Sequence, residues 1–224
     1  MTSRIALIHA TALAMEPIQH AFERLWPQAQ CMNVLDDSLS RDLAQTGRLT
    51  PAMVQRFVDL AHYVQGTGCT GVLFTCSAFG SAFEAAAQAT GLPTLKPNEA
   101  MFEQALQTPA ANGRLSLGLV ATFEASLGSM GQELHAMAQA RGQAIDLHTV
   151  FVPEAMADLA AGQAELHHQK IAKALAQLPR CDVVMLAQFS MAAAQPLAQR
   201  QSSVPVLSSP DCAVLALQLA MHHV

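Results

Sequence analysis

Apolar residues fall into two patterns along this chain: runs of four or five, and stretches in which they return every three or four positions. The first run, Ile5-Ala6-Leu7-Ile8, precedes a helix-like stretch over residues 17–25. Trp26-Pro27 stops that stretch, because the residue before a proline avoids helical backbone angles. Residues 31–35 read as a second strand, and Asp36-Asp37-Ser38 as a polar loop after it. Thr50-Pro51 opens a strong helix, with the threonine as cap and the proline in the first turn. Met53, Val54, Phe57, Leu60, Ala61 and Val64 keep helical spacing as far as Gly66. Residues 71–75 form a buried-strand run, 81–90 a helix and 92–95 a short strand.

The same pattern then returns. Residues 115–120, 145–152, 182–187 and 204–207 read as strands; 124–141, 165–178, 190–199 and 212–221 read as helices. Strands alternating with helices predict an α/β fold with mainly parallel sheets. A shift of 112 positions carries Cys76 onto Gln188, Ile8 onto Val120, and residues 71–75 onto 183–187, in a chain of 224 residues. That register predicts an internal duplication. The expected architecture is two pseudo-twofold-related lobes, 1–96 plus 205–224 and 97–204, each a mainly parallel sheet flanked by helices. Ligands of open α/β sheets bind beyond the carboxyl ends of the strands, so the active site is expected in the cleft between the lobes.

Composition narrows the function. Apolar residues make up 51% and charged residues 13%, enough to bury a sizeable core. The net charge of −5, with one Trp and one Tyr, offers no basic stripe with stacking aromatics, so nucleic acid is not an expected partner. No window approaches the roughly 20 apolar residues that span a bilayer. The opening apolar run is too short for a signal peptide, so a cytoplasmic location is expected, with no membrane partner. His222-His223 reads as a frayed end. The five cysteines are odd in number and lack a CxxC pair, which argues against both a disulfide framework and a zinc site.

Several motifs fail on context. Gly66-Thr67-Gly68-Cys69-Thr70-Gly71 matches a dinucleotide fingerprint, but it follows a helix and precedes a strand, the reverse of what that site needs. His167-His168 point about 100° apart on a helix and read as solvated polar residues rather than metal ligands. None of the three lysines, Lys96, Lys170 and Lys173, stands at a strand end, which weakens a pyridoxal Schiff base. Neither a metal nor an organic cofactor is expected.

One motif keeps its context. Phe74-Thr75-Cys76-Ser77-Ala78-Phe79-Gly80 puts a thiol where a buried strand ends, followed by backbone amides and a helix start. Such amides form an anion cradle, and the same field is expected to favour the thiolate.

Cys76-Ser77 after an apolar strand resembles the first catalytic cysteine motif of the aspartate/glutamate/hydantoin racemase superfamily, which includes arylmalonate decarboxylase and maleate isomerase. The likeness extends over the whole chain, from residues 5–11 through Leu119-Val120-Ala121-Thr122 to Leu186-Ala187-Gln188-Phe189-Ser190-Met191. It implies two α/β lobes and cofactor-independent proton transfer at a carbon α to a carboxylate. Cys76 is the implied proton carrier or nucleophile. Thr11, Ser77, Ala78, Thr122, Gln188, Phe189 and Ser190 are the implied substrate-binding residues.

The departure is at Gln188, where racemases of the family place a second cysteine. An amide only donates and accepts hydrogen bonds. Cys181 lies at the wrong end of that strand, and Cys212 follows the last strand. The chain therefore reads as an isomerase of racemase type working through one thiol. The alternatives are an arylmalonate-type decarboxylase with Cys76 as proton donor, or a non-catalytic binder of a small carboxylate. The expected partner is a small carboxylate-bearing substrate, with a homo-oligomer possible. Asp36, Asp37 and Ser38 either select a cationic or hydroxylated substrate group or form a solvated loop. Phe74, Phe79 and Phe189 either line an apolar pocket or pack the core.

Overall fold

A computed structural model describes residues 3–110 and 113–222. Of the His222-His223 pair read as a frayed end, His223 lies outside the described residues. The chain divides into two compact units, Met1–Pro97 with Ala213–Val224, and Asn98–Cys212.

The first unit carries β1 (Arg4–His9), α1 (Met15–Leu25), β2 (Gln30–Leu35), α2 (Ser38–Thr46), α3 (Pro51–Gly66), β3 (Gly71–Phe74), α4 (Gly80–Thr90) and β4 (Thr94–Leu95). Its sheet is parallel, in the order β2-β1-β3-β4. The central strands β1 and β3 are apolar because both their faces are covered. Ala6, Ile8, Val72 and Phe74 face a core built with Phe57, Ala61 and Val64 of α3 and Ala82, Phe83 and Ala86 of α4. Four rings organise that core: Phe74 stacks on Phe83 at 4.4 Å, while Phe57 lies 4.9 Å from Phe79 and edge-on to Phe74 and Phe83. Phe74 and Phe79 are thus core residues, each 0% exposed.

The second unit carries α5 (Glu99–Leu106), β5 (Leu115–Ala121), α6 (Ala125–Ala140), β6 (Ile145–Phe151), α7 (Ala155–Ala160), α8 (Ala164–Ala174), β7 (Val183–Leu186), α9 (Gln195–Arg200) and β8 (Val206–Ser208). Its parallel sheet has the order β6-β5-β7-β8. Helix α10 (Ser209–His222) begins in this unit and ends in the first.

The duplication extends to strand register. Ile5 pairs with Gly71 and Val72 with Thr94; a shift of 112 turns these into Leu117 with Val183 and Val184 with Val206, the pairs the second sheet makes. The outer strand breaks the rule. Ile5 pairs with Cys31 but Leu117 with Leu147, so four more residues separate β5 from β6 than β1 from β2.

Five expectations are corrected. Lys96 does stand at a strand end, directly after β4. Residues 205–212 belong to the second unit, not the first, because β8 bonds to β7. The loop after β2 is only a short turn, since α2 starts at Ser38. His167 is not solvated: it is 0% exposed, with its Nδ1 2.7 Å from the Ala155 carbonyl. The helix expected over 190–199 is a 3-10 segment, Phe189–Ala194, followed by α9. As expected, Gly66 to Gly71 forms the turn from α3 into β3; Gly68 takes φ 81°, where a side chain would be strained. Among the described residues, no helix is long and apolar enough to cross a membrane.

Candidate active site

In the first sheet β1 and β3 are neighbours whose chain connections leave in opposite directions, with β2 on one side and β4 on the other. Such a reversal opens a crevice at the carboxyl ends of the two strands. Ala10 and Thr11 follow β1 there, and Thr75 and Cys76 follow β3.

Cys76 is half-buried. Burial pushes its thiol above the ordinary value of 9.0; hydrogen bonds from the Ala78 amide and the Ser40 hydroxyl offset part of that push. The Ala78 amide therefore points at sulfur, as the cradle reading expected. The net direction corrects the expected thiolate, because loss of water outweighs two hydrogen bonds. Ser77 and Ala78 occupy the turn before α4, and Phe79 has no side-chain cap to give that helix. Thr11 caps the 3-10 helix Ala12–Ala14, its oxygen accepting from the Leu13 amide at 3.4 Å.

Beneath Cys76 lies a polar chain that the sequence did not disclose. His9 is 0% exposed; its Nδ1 is 2.8 Å from Thr75 Oγ1 and its Nε2 is 2.9 Å from Asn33 Oδ1. Asn33 offers an acceptor, so Nε2 carries the proton and Nδ1 accepts from the Thr75 hydroxyl. Burial lowers the His9 pKa below 6.5, against the bond to Asn33, which raises it.

Helix α2 is tied down beside the site. Asp36 Oδ1 accepts from the Ser38 amide at 3.2 Å and the Ser38 hydroxyl at 2.6 Å. Arg56 of α3 donates to Asp36 and Ser38, and to Asp42 at 2.6 Å. Burial raises the Asp36 pKa, but the bonds from Ser38 and Arg56 outweigh it and bring the carboxyl below its usual value. Asp36 and Ser38 are thus occupied by Arg56, while Asp37 is exposed and pairs with Arg41 at 3.1 Å, so the solvated reading holds for Asp37 alone.

The second unit repeats the crevice between β5 and β7 with different chemistry. Gln188 follows β7, and its Oε1 accepts from the Thr122 amide at 2.8 Å and the Thr122 hydroxyl at 3.2 Å. Its Nε2 donates to Ser126 Oγ at 2.7 Å, and that hydroxyl donates to the Phe123 carbonyl at 2.7 Å. Phe189 and Ser190 follow in the 3-10 segment, 2% and 8% exposed. Cys212 packs in the core of this unit, where it donates to Gln104 Oε1 at 3.0 Å and its thiol is pushed up to about 12. Cys181 precedes β7 and donates to the Pro179 carbonyl at 3.3 Å.

The structure thus gathers Cys76, Ser77, Ala78 and Ser40 at one crevice, and Thr122 and Gln188 at the other. Ser40, His9, Arg56 and Ser126 were missed. Only His9 carried a signal, as a polar residue closing an apolar strand run.

Comparison with curated protein sequences finds no match. Among solved structures, glutamate racemase RacE1 of Bacillus anthracis superposes with a TM-score of 0.75 at 16% identity, covering 99% of this chain and 82% of that one. Allantoin racemase of Klebsiella pneumoniae gives 0.71 at 18%, covering 98% and 88%. Unliganded arylmalonate decarboxylase gives 0.59 at 19%, covering 97% and 91%. The Asp/Glu/hydantoin racemase family model matches residues 5–217. The chain, duplicated sheet and all, belongs to the Asp/Glu/hydantoin racemase family.

Proposed function

We propose that this chain is a cofactor-independent isomerase of racemase type that moves a proton at the carbon next to a carboxylate, with Cys76 as its single protein proton carrier on one face and water or another group delivering the proton to the opposite face. The observation that carries the reading is the position of Cys76: after a central strand, in the strand-order crevice, with an amide and a hydroxyl bearing on its sulfur.

Removing a proton α to a carboxylate gives an enediolate with charge on both carboxylate oxygens. Preorganised amide donors stabilise that charge, each worth about 2.7–4 kcal/mol where one has been removed from an enzyme. The Ser77 amide and the Thr11 hydroxyl are proposed to serve it, while the Ala78 amide bears on the Cys76 sulfur. In the second unit the proposed roles are narrower: Thr122 and Gln188 spend their polar groups on each other and on Ser126, and so hold the ends of β5 and β7 in shape.

A second reading, an arylmalonate-type decarboxylase, is favoured by one observation. Gln188 stands where racemases of the family place a second proton carrier, and its amide is held by Thr122 and Ser126. The upward push of burial on the Cys76 thiol suits delivery of a proton to one face after loss of CO2. Proton NMR in D2O, on both enantiomers of aspartate and glutamate, a hydantoin, maleate and an arylmalonate, tests the proposal. Deuterium at the α-carbon of a recovered substrate supports the isomerase, and release of CO2 supports the lyase. A panel left unchanged contradicts both and favours a protein that only binds a small carboxylate.

A further inference from the structure

Ser40 stands in the first turn of α2, a helix the sequence did not disclose. Its Oγ donates to the Ala10 carbonyl across 2.6 Å. Ile8 pairs with Phe74 and the Thr75 amide donates to the Ile8 carbonyl, so the β1–β3 register brings Ala10 and Cys76 side by side, and the hydroxyl held on Ala10 bears on the Cys76 thiol. Ala10 follows β1 and Cys76 follows β3, so one side chain touches both strand ends that form the crevice.

A hydroxyl has one proton to give and two lone pairs to offer. It cannot donate to the Ala10 carbonyl and to a thiolate at once. When Cys76 is a thiol, its S–H donates to Ser40 Oγ and the serine proton stays on the Ala10 carbonyl. When the proton leaves sulfur, the serine O–H turns onto the thiolate, and the Ala10 carbonyl gives up that bond. No proton leaves Ser40 in either direction; only the proton on sulfur passes to or from the substrate carbon. Bonds from neutral donors to an anion are stronger than those between neutral groups, so the rotation follows the charge.

The geometry points to Ser40 as a further catalytic residue, a hydroxyl rotor that follows the proton on and off Cys76. The placement of α2 supports this. Leu39, the preceding residue, is 0% exposed in the core. Asp36 and Arg56 hold the Ser38 end of the helix, and Arg56 also holds Asp42 one turn further on. Those charges pair with one another, and the polar groups acting on Cys76 are the Ala78 amide and the Ser40 hydroxyl. The inference rests on Cys76 being the proton carrier proposed above, but its test needs no substrate.

The test is the pH dependence of iodoacetamide alkylation at Cys76, read by peptide mass spectrometry on the full chain. The midpoint pH reports thiol ionisation independently of how easily the reagent enters. Ser40→Ala is expected to raise the midpoint by about one unit, a tenfold loss of thiolate at neutral pH. Ser40→Thr, which keeps the hydroxyl, is expected to return the midpoint towards wild type. The midpoints of Cys31 and Cys181 on the same digests are expected to stay where they are. A Ser40→Ala midpoint equal to wild type overturns the assignment, as does a threonine variant that shifts as far as the alanine. A shifted midpoint in a chain that turns over no substrate would keep the Ser40–Cys76 coupling and refute the proposed reaction instead.

Discussion

Gln188 Oε1 lies 2.8 Å from the backbone nitrogen of Thr122, and that bond decides which way the glutamine amide faces. The nitrogen donates, so the atom it meets is the oxygen. The amide nitrogen must then point to Ser126, whose own proton goes to the Phe123 carbonyl. Gln188→Ala removes the acceptor of two Thr122 donors. Buried groups left without partners cost about 1–3 kcal/mol, and urea unfolding should show a loss of that size. Gln188→Glu keeps the acceptor and lets Ser126 turn its proton round, so it should cost less. An alanine variant as stable as wild type would mean that the network contributes nothing.

The raised pKa of Cys76 separates the two proposed reactions by their pH profiles. An isomerase must start from thiolate, which is scarce below the ordinary value of 9.0. Its kcat/KM should climb with pH through neutrality and past 9.0. A decarboxylase that donates from the thiol should run level across neutrality and fall only above 9.0. A profile measured on the substrate found by NMR reads directly which form of Cys76 works.

His9 ties stability to pH. Its folded pKa lies below 6.5, so below that pH the unfolded chain binds a proton that the folded chain refuses. Stability therefore rises with pH in this range, and is lost as pH falls below about 6.5, by up to about 1.4 kcal/mol per unit. The groups facing the ring, Thr75 and Asn33, carry no charge to offset this. Chemical denaturation of wild type and His9→Gln at several pH values should show a steeper slope in the wild type, the remainder in the variant coming in part from His168, whose pKa burial also lowers. Equal slopes would contradict a neutral, buried His9.

Arg56 predicts a local effect. Its side chain is 33% exposed, so its pairs with Asp36 and Asp42 are worth about 1 kcal/mol at most. Arg56→Gln should therefore leave the fold intact but speed amide exchange across α2 (Ser38–Thr46). Unchanged protection there would show that Leu39 and the Ser40 bond to Ala10 anchor the helix without Arg56.

The central strands were legible because β1, β3, β5 and β7 are covered on both faces, which leaves nearly unbroken apolar runs. The repeat was legible because register was kept, down to the pairing of β3 with β4 and β7 with β8. Helix α2 escaped because Leu39 is its only buried residue and polar turn chemistry opens it. Helix α5 did carry a signal, since Met101, Phe102, Ala105 and Leu106 keep helical spacing, but its eight residues make a short window. The unit boundary was misplaced because an apolar strand does not reveal which sheet it joins. Cys76 was legible from its place at a strand end; its protonation was not, because burial depends on everything packed around it. His9 and Thr75 meet across 66 positions, a distance no local pattern spans.

Cys76 as the proton carrier is the centre of this account, and α-proton exchange in D2O compared between wild type and Cys76→Ala tests it most directly. The alanine variant, folded by circular dichroism, should lose exchange or turnover by about 10²–10⁴-fold, the usual contribution of a positioned acid or base. An alanine variant that matches the wild type would show that the chemistry, if present, runs through another group, and the account of the site would fail.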